Sequence, residues 1–157
     1  MPFRNNVTRL LDARHIAYEI FELSPEKHSA EETAVLLGVP PDHVYKTLVV
    51  LRAEKRAKPL LVMAPAGREL NLKALAASLG EKKLRMAAQR EAEAVTGLLV
   101  GGISALALLN KGFDICLERA AAGLAYIHVS AGQRGANLRL APKDLIAVTG
   151  TRLVDTA

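Results

Sequence analysis

The chain has 157 residues and a formal charge of +5, from 21 basic and 16 acidic side chains, with a pI near 9.6. That length suits one domain burying roughly two thirds of its unfolded surface, while a single cysteine, Cys116, excludes an internal disulfide and a cysteine-rich zinc site. There is no run of about eighteen apolar residues, and Met1 to Asn6 leads straight into charges, so the reading is a cytoplasmic protein with no membrane span and no secretory leader.

Val7, Leu10 and Leu11 recur at helical spacing between charges and predict a short amphipathic helix within Arg4 to Arg14. Ile16 to Phe21 reads as a strand. Ser29, followed three residues later by Glu32, is a capping box that opens a helix ending at Gly38. Pro40 and Pro41 turn the chain into Val44 to Leu51, a β-branched run that is apolar on both faces, as in a central strand. Lys46 interrupts it. With period-two alternation Lys46 shares a face with Val44, Leu48 and Val50, so its ammonium either snorkels to water or lines a cavity that an anion enters.

Leu60 to Ala64 is the expected antiparallel partner of Leu48 to Leu51, across the charged connection Arg52 to Lys58. Asn71 caps a helix through Leu79, stopped by Gly80. Lys83 to Met86 predicts a short strand, and Gln89 to Val95 a helix closed by Gly97. Leu98 to Val100 reads as a brief strand ending in Gly101 and Gly102, whose backbone amides can approach a carbonyl or phosphate oxygen. Phe113, Ile115 and Leu117 alternate with Asp114, Cys116 and Glu118, the pattern of a strand with one wet side. Ala125 to Val129 and Asn137 to Leu140 form a hairpin across the small loop Ser130 to Gly135, where Arg134 is placed to hold phosphate. A helix over Lys143 to Val148 follows Pro142 and ends at Gly150. Scattered helices among strands joined by short turns predict an α+β fold: one domain over 1–157, with a mixed, largely antiparallel sheet curled into a barrel-like core and flanked by helices.

The chemistry-bearing residues are few. Ser104 lies in Gly102, Ile103, Ser104, Ala105, Leu106, which approximates a nucleophile elbow without its closing Gly. The histidines His15, His28, His43 and His128 have no metal-ligand spacing, and neither metal nor cofactor is expected. His128 and Ser130 share a strand face but point in parallel, poor geometry for base and nucleophile, and both are read as half-exposed. Thr33 to Leu48 also approximates a helix-turn-helix, a DNA-binding reading that the basic pI favours, although the basic residues are dispersed, with local groups at Arg52, Lys55, Arg56, Lys58 and at Lys82, Lys83, Arg85. Against it, Leu48 to Leu51 is apolar throughout, which suits a buried strand and not a groove-facing helix.

Val44 to Leu48, the Gly101, Gly102, Ile103, Ser104 run and Val129 to Gly135 together resemble, in order and spacing, the YbaK/EbsC family of aminoacyl-tRNA deacylases. The resemblance implies a metal-free pocket for the aminoacylated 3′ end of tRNA, with Lys46 as the essential lysine. Thr47, Gly101, Gly102, Ser104, Ser130 and Asn137 are then the substrate-binding residues, and prolyl-tRNA synthetase is an implied partner. It implies trans-editing of Cys-tRNA(Pro), with the substrate's own thiol attacking its ester carbonyl. Two departures bear on substrate: Ala105, Leu106, Ala107 replace the family's Pro and last Gly, and Asn137 stands where a pocket aspartate is usual. An early pocket tyrosine has no match near Leu23. A non-thiol substrate such as alanine would need an activated water instead. The alternative from another class is a non-catalytic module binding the tRNA acceptor end or a synthetase; the sequence leaves the oligomeric state open.

Overall fold

The computed structural model describes residues 3–54 and 56–157, so Met1, Pro2 and Lys55 lie outside the described residues. In chain order the elements are α1 (Asn6–Ala13), β1 (Tyr18–Glu22), α2 (Ala30–Leu37), β2 (Tyr45–Arg52), β3 (Leu60–Pro65), α3 (Leu72–Leu79), β4 (Leu84–Met86), α4 (Gln89–Thr96), β5 (Asp114–Glu118), β6 (Ile127–Ser130), β7 (Ala136–Leu140), α5 (Pro142–Thr149) and β8 (Arg152–Val154). Their boundaries follow local chemistry. Ser29 Oγ accepts from Glu32 N while the Glu32 carboxylate accepts from Ser29 N, and Gly38 closes α2 in the left-handed conformation. Asn71 caps α3 by accepting from Ala74 N, a contact worth about 1 kcal/mol.

The strands form two sheets. One is antiparallel with order β1-β7-β6; the other has order β4-β2-β3-β5-β8, antiparallel on the β4-β2-β3 side and parallel through β3-β5-β8. Among the described residues the two sheets are joined in strand pairing only by an isolated parallel bridge, Val44 to His128, so the expected barrel-like closure is not found. The fold is α+β with mixed sheets. The expected pairing of Leu48 to Leu51 with Leu60 to Ala64 is present, with Leu48 opposite Val62 and Val50 opposite Leu60.

Alternation sorts the core. On β6 and β7 the odd-numbered apolar set Ile127 and Val129 faces Leu138 and Leu140 in the interior between the sheets, joined there by Tyr45, Met63 and Leu117. The opposite face of the five-stranded sheet buries Val50, Val62, Cys116 and Val154 beneath Leu75 of α3. Here the expected wet side of β5 holds only at Asp114, which is exposed: Cys116 is 2% and Glu118 6% exposed, because α3 and the C-terminal segment cover them. Burial pushes the Cys116 thiol up to about 11, against the opposing pull of Arg152 and Arg52.

The strand expected over Val44 to Leu51 is present, one expected strand is absent and one strand is new. Residues 45–52 are a strand, which removes the helix-turn-helix and DNA-binding reading. Leu98 to Val100 is a turn and not a strand. The short β8, whose three residues lie parallel to β5, went unforeseen. No helix among the described residues is long and apolar enough to cross a membrane.

Candidate active site

The site occupies a gap in strand pairing. One edge of β2 is paired with β3 from Tyr45 to Val50. The other edge meets β6 only at Val44 and β4 only from Val50, with Ala87 N donating to Val49 O. Between those points Tyr45 to Leu48 present an edge with no strand among the described residues paired to it. A cavity of about 90 Å³ lies there, lined by Lys46, Thr47, Gly101, Ile103, Ser130 and Asn137, with His28 and Thr33 contributed by the segment around α2. An adjoining hollow extends past Gly101, Ser130 and Asn137 to Glu26 and Gly135.

Five of the seven residues expected at the site, Lys46, Thr47, Gly101, Ser130 and Asn137, therefore line one cavity. Lys46 is half-buried and its Nζ donates to the Arg68 carbonyl at 3.0 Å. Thr47 Oγ1 is buried without a hydrogen-bond partner in the protein. Ser130 Oγ accepts from Gly132 N at 3.1 Å, which fixes the turn of the 130–135 loop. Asn137 Oδ1 accepts from His128 Nδ1 at 2.9 Å, leaving the amide N–H groups for the cavity. Gly101 has φ +99, a conformation that side chains resist.

Gly102 and Ser104 lie outside the lining and serve the scaffold. Gly102 N donates within its own turn to Leu99 O at 2.8 Å, so it is not free to steady an oxyanion. A Cβ on Gly102 would stand 2.7 Å from Arg134 N, so its lack of a side chain lets this turn pack against the 130–135 loop. Ser104 is 2% exposed and its Oγ accepts from Ala107 N at 3.3 Å, bracing the turn that leads into the 3-10 helix Leu106–Leu108. The nucleophile-elbow reading fails for that reason. Ala105 to Ala107, the altered loop, also packs in the core away from the cavity. Arg134, placed by sequence to hold phosphate, instead donates from Nε to Val100 O at 2.8 Å and lies 3.9 Å from Glu93, tying the two loops together.

His128 departs most from expectation. It is 1% exposed, tilted against Phe21 and edge-on to Tyr126, and Arg139 stacks on the Tyr126 ring at 3.8 Å. Burial holds its pKa below the ordinary histidine value, with the Asn137 bond opposing. Tyr45, beside the cavity, is pushed up to about 12 by burial and by the Glu118 carboxylate. Sequence reasoning missed Arg68, Glu118 and His28. Only the cross-strand register, which pairs β3 with both β2 and β5, brings the first two near Lys46.

Around the small cavity stand a lysine, a partnerless hydroxyl and an amide, and the aliphatic hydroxyls that line it, on Thr33, Thr47 and Ser130, bond no histidine or carboxylate. The Ser24 hydroxyl pairs with His28 Nε2 at 3.0 Å, but Ser24 is exposed and outside the lining, so the lining itself holds no activated nucleophile. The family model described as an aminoacyl-tRNA editing domain matches residues 24–148, a span that contains all of these residues. The chain belongs to the aminoacyl-tRNA editing family. Among relatives of the editing family it is 32% identical, over 97% of its own length and 92% of the other, to EbsC of Enterococcus faecalis, which carries the provisional name Cys-tRNA(Pro)/Cys-tRNA(Cys) deacylase. A local match of 36% identity covers 50% of this chain and 13% of the proline--tRNA ligase of Nitratidesulfovibrio vulgaris. The crystal structure of hypothetical protein APE2540 superposes with TM-score 0.85 at 25% identity over 97% of this chain and 99% of that one. A protein provisionally described as a trans-editing enzyme for prolyl tRNA synthetase shares the fold, with TM-score 0.79 at 24% identity over 99% and 98% of the two chains.

Proposed function

We propose that residues 1–157 act as one editing domain, a trans-editing deacylase that removes a small mischarged amino acid from tRNA, with Cys-tRNA(Pro) as the leading substrate. The observation that carries this is Lys46 in the lining of a cavity that also holds the unpartnered Thr47 hydroxyl. The cavity, near 90 Å³, is smaller than the roughly 150 Å³ that takes a benzene ring, which favours a side chain of cysteine or alanine size. EbsC, by its name, acts on cysteinyl-tRNA, and this chain covers nearly all of it.

The reaction suited to a site without an activated nucleophile is one in which the substrate supplies its own. The cysteinyl thiolate attacks the ester carbonyl, the C–S bond forms as the C–O bond to the ribose breaks, and the proton lost by the thiol ends on the released ribose hydroxyl. Water then opens the cyclic thioester so formed, its OH going to the carbonyl carbon and its proton to the sulfur, to give free cysteine. Holding thiol and carbonyl in contact contributes roughly 7 to 11 kcal/mol of barrier lowering. Lys46 neutralises the terminal phosphate or the developing oxyanion, and Thr47 and Asn137 hold the aminoacyl group. A charged-tRNA substrate fits a cytoplasmic enzyme, and the match to a proline--tRNA ligase supports a prolyl-tRNA synthetase as the partner.

The test is amino-acid release from a panel of charged tRNAs, with Cys-tRNA(Pro) and Ala-tRNA(Pro) side by side. Wild-type protein is expected to release cysteine, and Lys46→Ala to lose activity by about 100-fold while remaining folded. Absence of release from every member of the panel, with binding retained, would establish the non-catalytic acceptor-end module instead.

A further inference from the structure

Lys46 reaches the cavity through a carbonyl that belongs to a loop, and that loop is held by the C-terminus. The β2–β3 register sets Lys46 opposite Ala64, and the β3–β5 register, continued one residue past Met63 and Leu117, sets Ala64 beside Glu118. Lys46 and Glu118 thus lie on the same face of the sheet, two strand spacings or about 10 Å apart, with only the small Ala64 between them. Arg68 lies across that gap. Its carbonyl accepts from Lys46 Nζ at 3.0 Å, and its guanidinium stands 4.0 Å from Glu118 Oε1. Glu118 Oε2 accepts from Thr156 N at 2.7 Å and from the Thr156 hydroxyl. Asn71 N, at the far end of the same loop, donates to Thr156 O at 2.9 Å.

We infer that Glu118 and Thr156, neither of which touches the cavity, are positioning residues that set the Lys46 ammonium through the Arg68 loop. A carboxylate taken out of water is costly unless charge and hydrogen bonds answer it, and Glu118, 6% exposed, is answered by Thr156 and Arg68. That arrangement fixes Arg68 with respect to the sheet, and Arg68 fixes Lys46. Without it the loop between β3 and α3 keeps a turn bond, Arg68 N to Pro65 O, and the bond from Ala66 N to Val44 O, both on its N-terminal side. The role in turnover rests on the deacylase reading above; the geometric claim does not.

The experiment has two readouts on wild type, Glu118→Gln, Thr156→Val and Thr156→Ser. The first is the rate of acetylation of Lys46 by an amine-acylating ester, resolved by mass spectrometry against the other lysines. The second is kcat and KM for deacylation. Loss of one positioning hydrogen bond is expected to raise Lys46 acetylation about 5-fold in Glu118→Gln and Thr156→Val, leave the other lysines unchanged, and lower kcat more than it raises KM. Thr156→Ser, which keeps the hydroxyl, is expected to match wild type in both. Glu118→Gln keeps the side-chain shape and is read alone if Thr156→Val does not fold. Wild-type acetylation of Lys46 in folded Glu118→Gln overturns the inference, whatever happens to kcat. A wild-type protein that deacylates nothing while Glu118→Gln still raises Lys46 acetylation would sink the deacylase reading and leave the positioning role standing.

Discussion

His128 Nδ1 and Asn137 Oδ1 meet at 2.9 Å inside the sheet, so the imidazole that sequence places at a half-exposed position is a buried support for a cavity residue. With the amide oxygen as acceptor the ring proton sits on Nδ1, and Nε2 is buried without a partner.

The pH dependence of stability follows from that environment. Burial lowers the folded-state pKa of His128 below the ordinary value near 6.5. As pH falls through about 6.5 the unfolded chain takes up the proton first, so stability from neutral His128 is complete above that pH. It is lost on acidification until the folded pKa is passed, with a slope of at most about 1.4 kcal/mol per pH unit. Urea unfolding between pH 7.5 and 5 should show this slope in wild type and lack it in His128→Gln. In Asn137→Asp a carboxylate beside Nδ1 should raise the His128 pKa, read from its imidazole NMR shifts, and weaken the acid sensitivity. An unchanged His128 titration in Asn137→Asp would remove the pair from the account.

The paired glycines should respond unequally to alanine. Gly101→Ala meets only side-chain atoms, of Arg134 at 3.5 Å and of Lys27 at 3.6 Å, at ordinary contact distance, and its cost is the strain of holding a side chain at φ +99, about 1 to 2 kcal/mol. Gly102→Ala drives a methyl to 2.7 Å from the backbone of Gln133 and Arg134, which cannot yield without moving the 130–135 loop. Its expected cost is about 3 kcal/mol, with Ser130 displaced from the cavity. Equal unfolding midpoints for the two variants would contradict this division of labour.

Local chemistry made most elements legible in the sequence: the Ser29–Glu32 box, the Asn71 cap and the left-handed Gly38, Gly80 and Gly150 each mark a helix end where it lies. Lys46 was legible as a charge on an apolar face because strand alternation is a local rule. What escaped depends on pairing between distant segments. Glu118 reads as a wet residue until α3 and Thr156 are known to lie over β5, and Arg68 carries no signal at all because it is its carbonyl that holds Lys46. Gly102 and Ser104 share a motif with Gly101, yet a motif does not say which members face a cavity and which hold the turn behind it.

Cys116 should be inert in the folded state. It is 2% exposed and its thiol is pushed up to about 11, so at pH 8 the reactive thiolate is scarce and shielded. Alkylation by iodoacetamide should be undetectable over hours in native protein and complete in minutes in 6 M guanidinium, roughly as for a thiol released only by unfolding. Rapid labelling of native protein would show that the α3 cover on β5 opens freely.

Thr47 separates stability from function most directly. Its hydroxyl is buried in the cavity wall with no partner in the protein, and an unsatisfied buried hydroxyl costs about 1 to 3 kcal/mol. Thr47→Val replaces it with a methyl of similar volume, so the free protein should gain about 1 kcal/mol, or a rise of about 2 to 4 °C in Tm. If that hydroxyl is kept for the aminoacyl group, the same variant should lose about tenfold in kcat/KM, one hydrogen bond made only with substrate. A gain in stability with activity unchanged would make Thr47 a packing residue that happens to border the cavity. A loss of stability would mean that the hydroxyl is satisfied in solution, by water, and that the cavity is wetter than a 90 Å³ hollow between two sheets suggests.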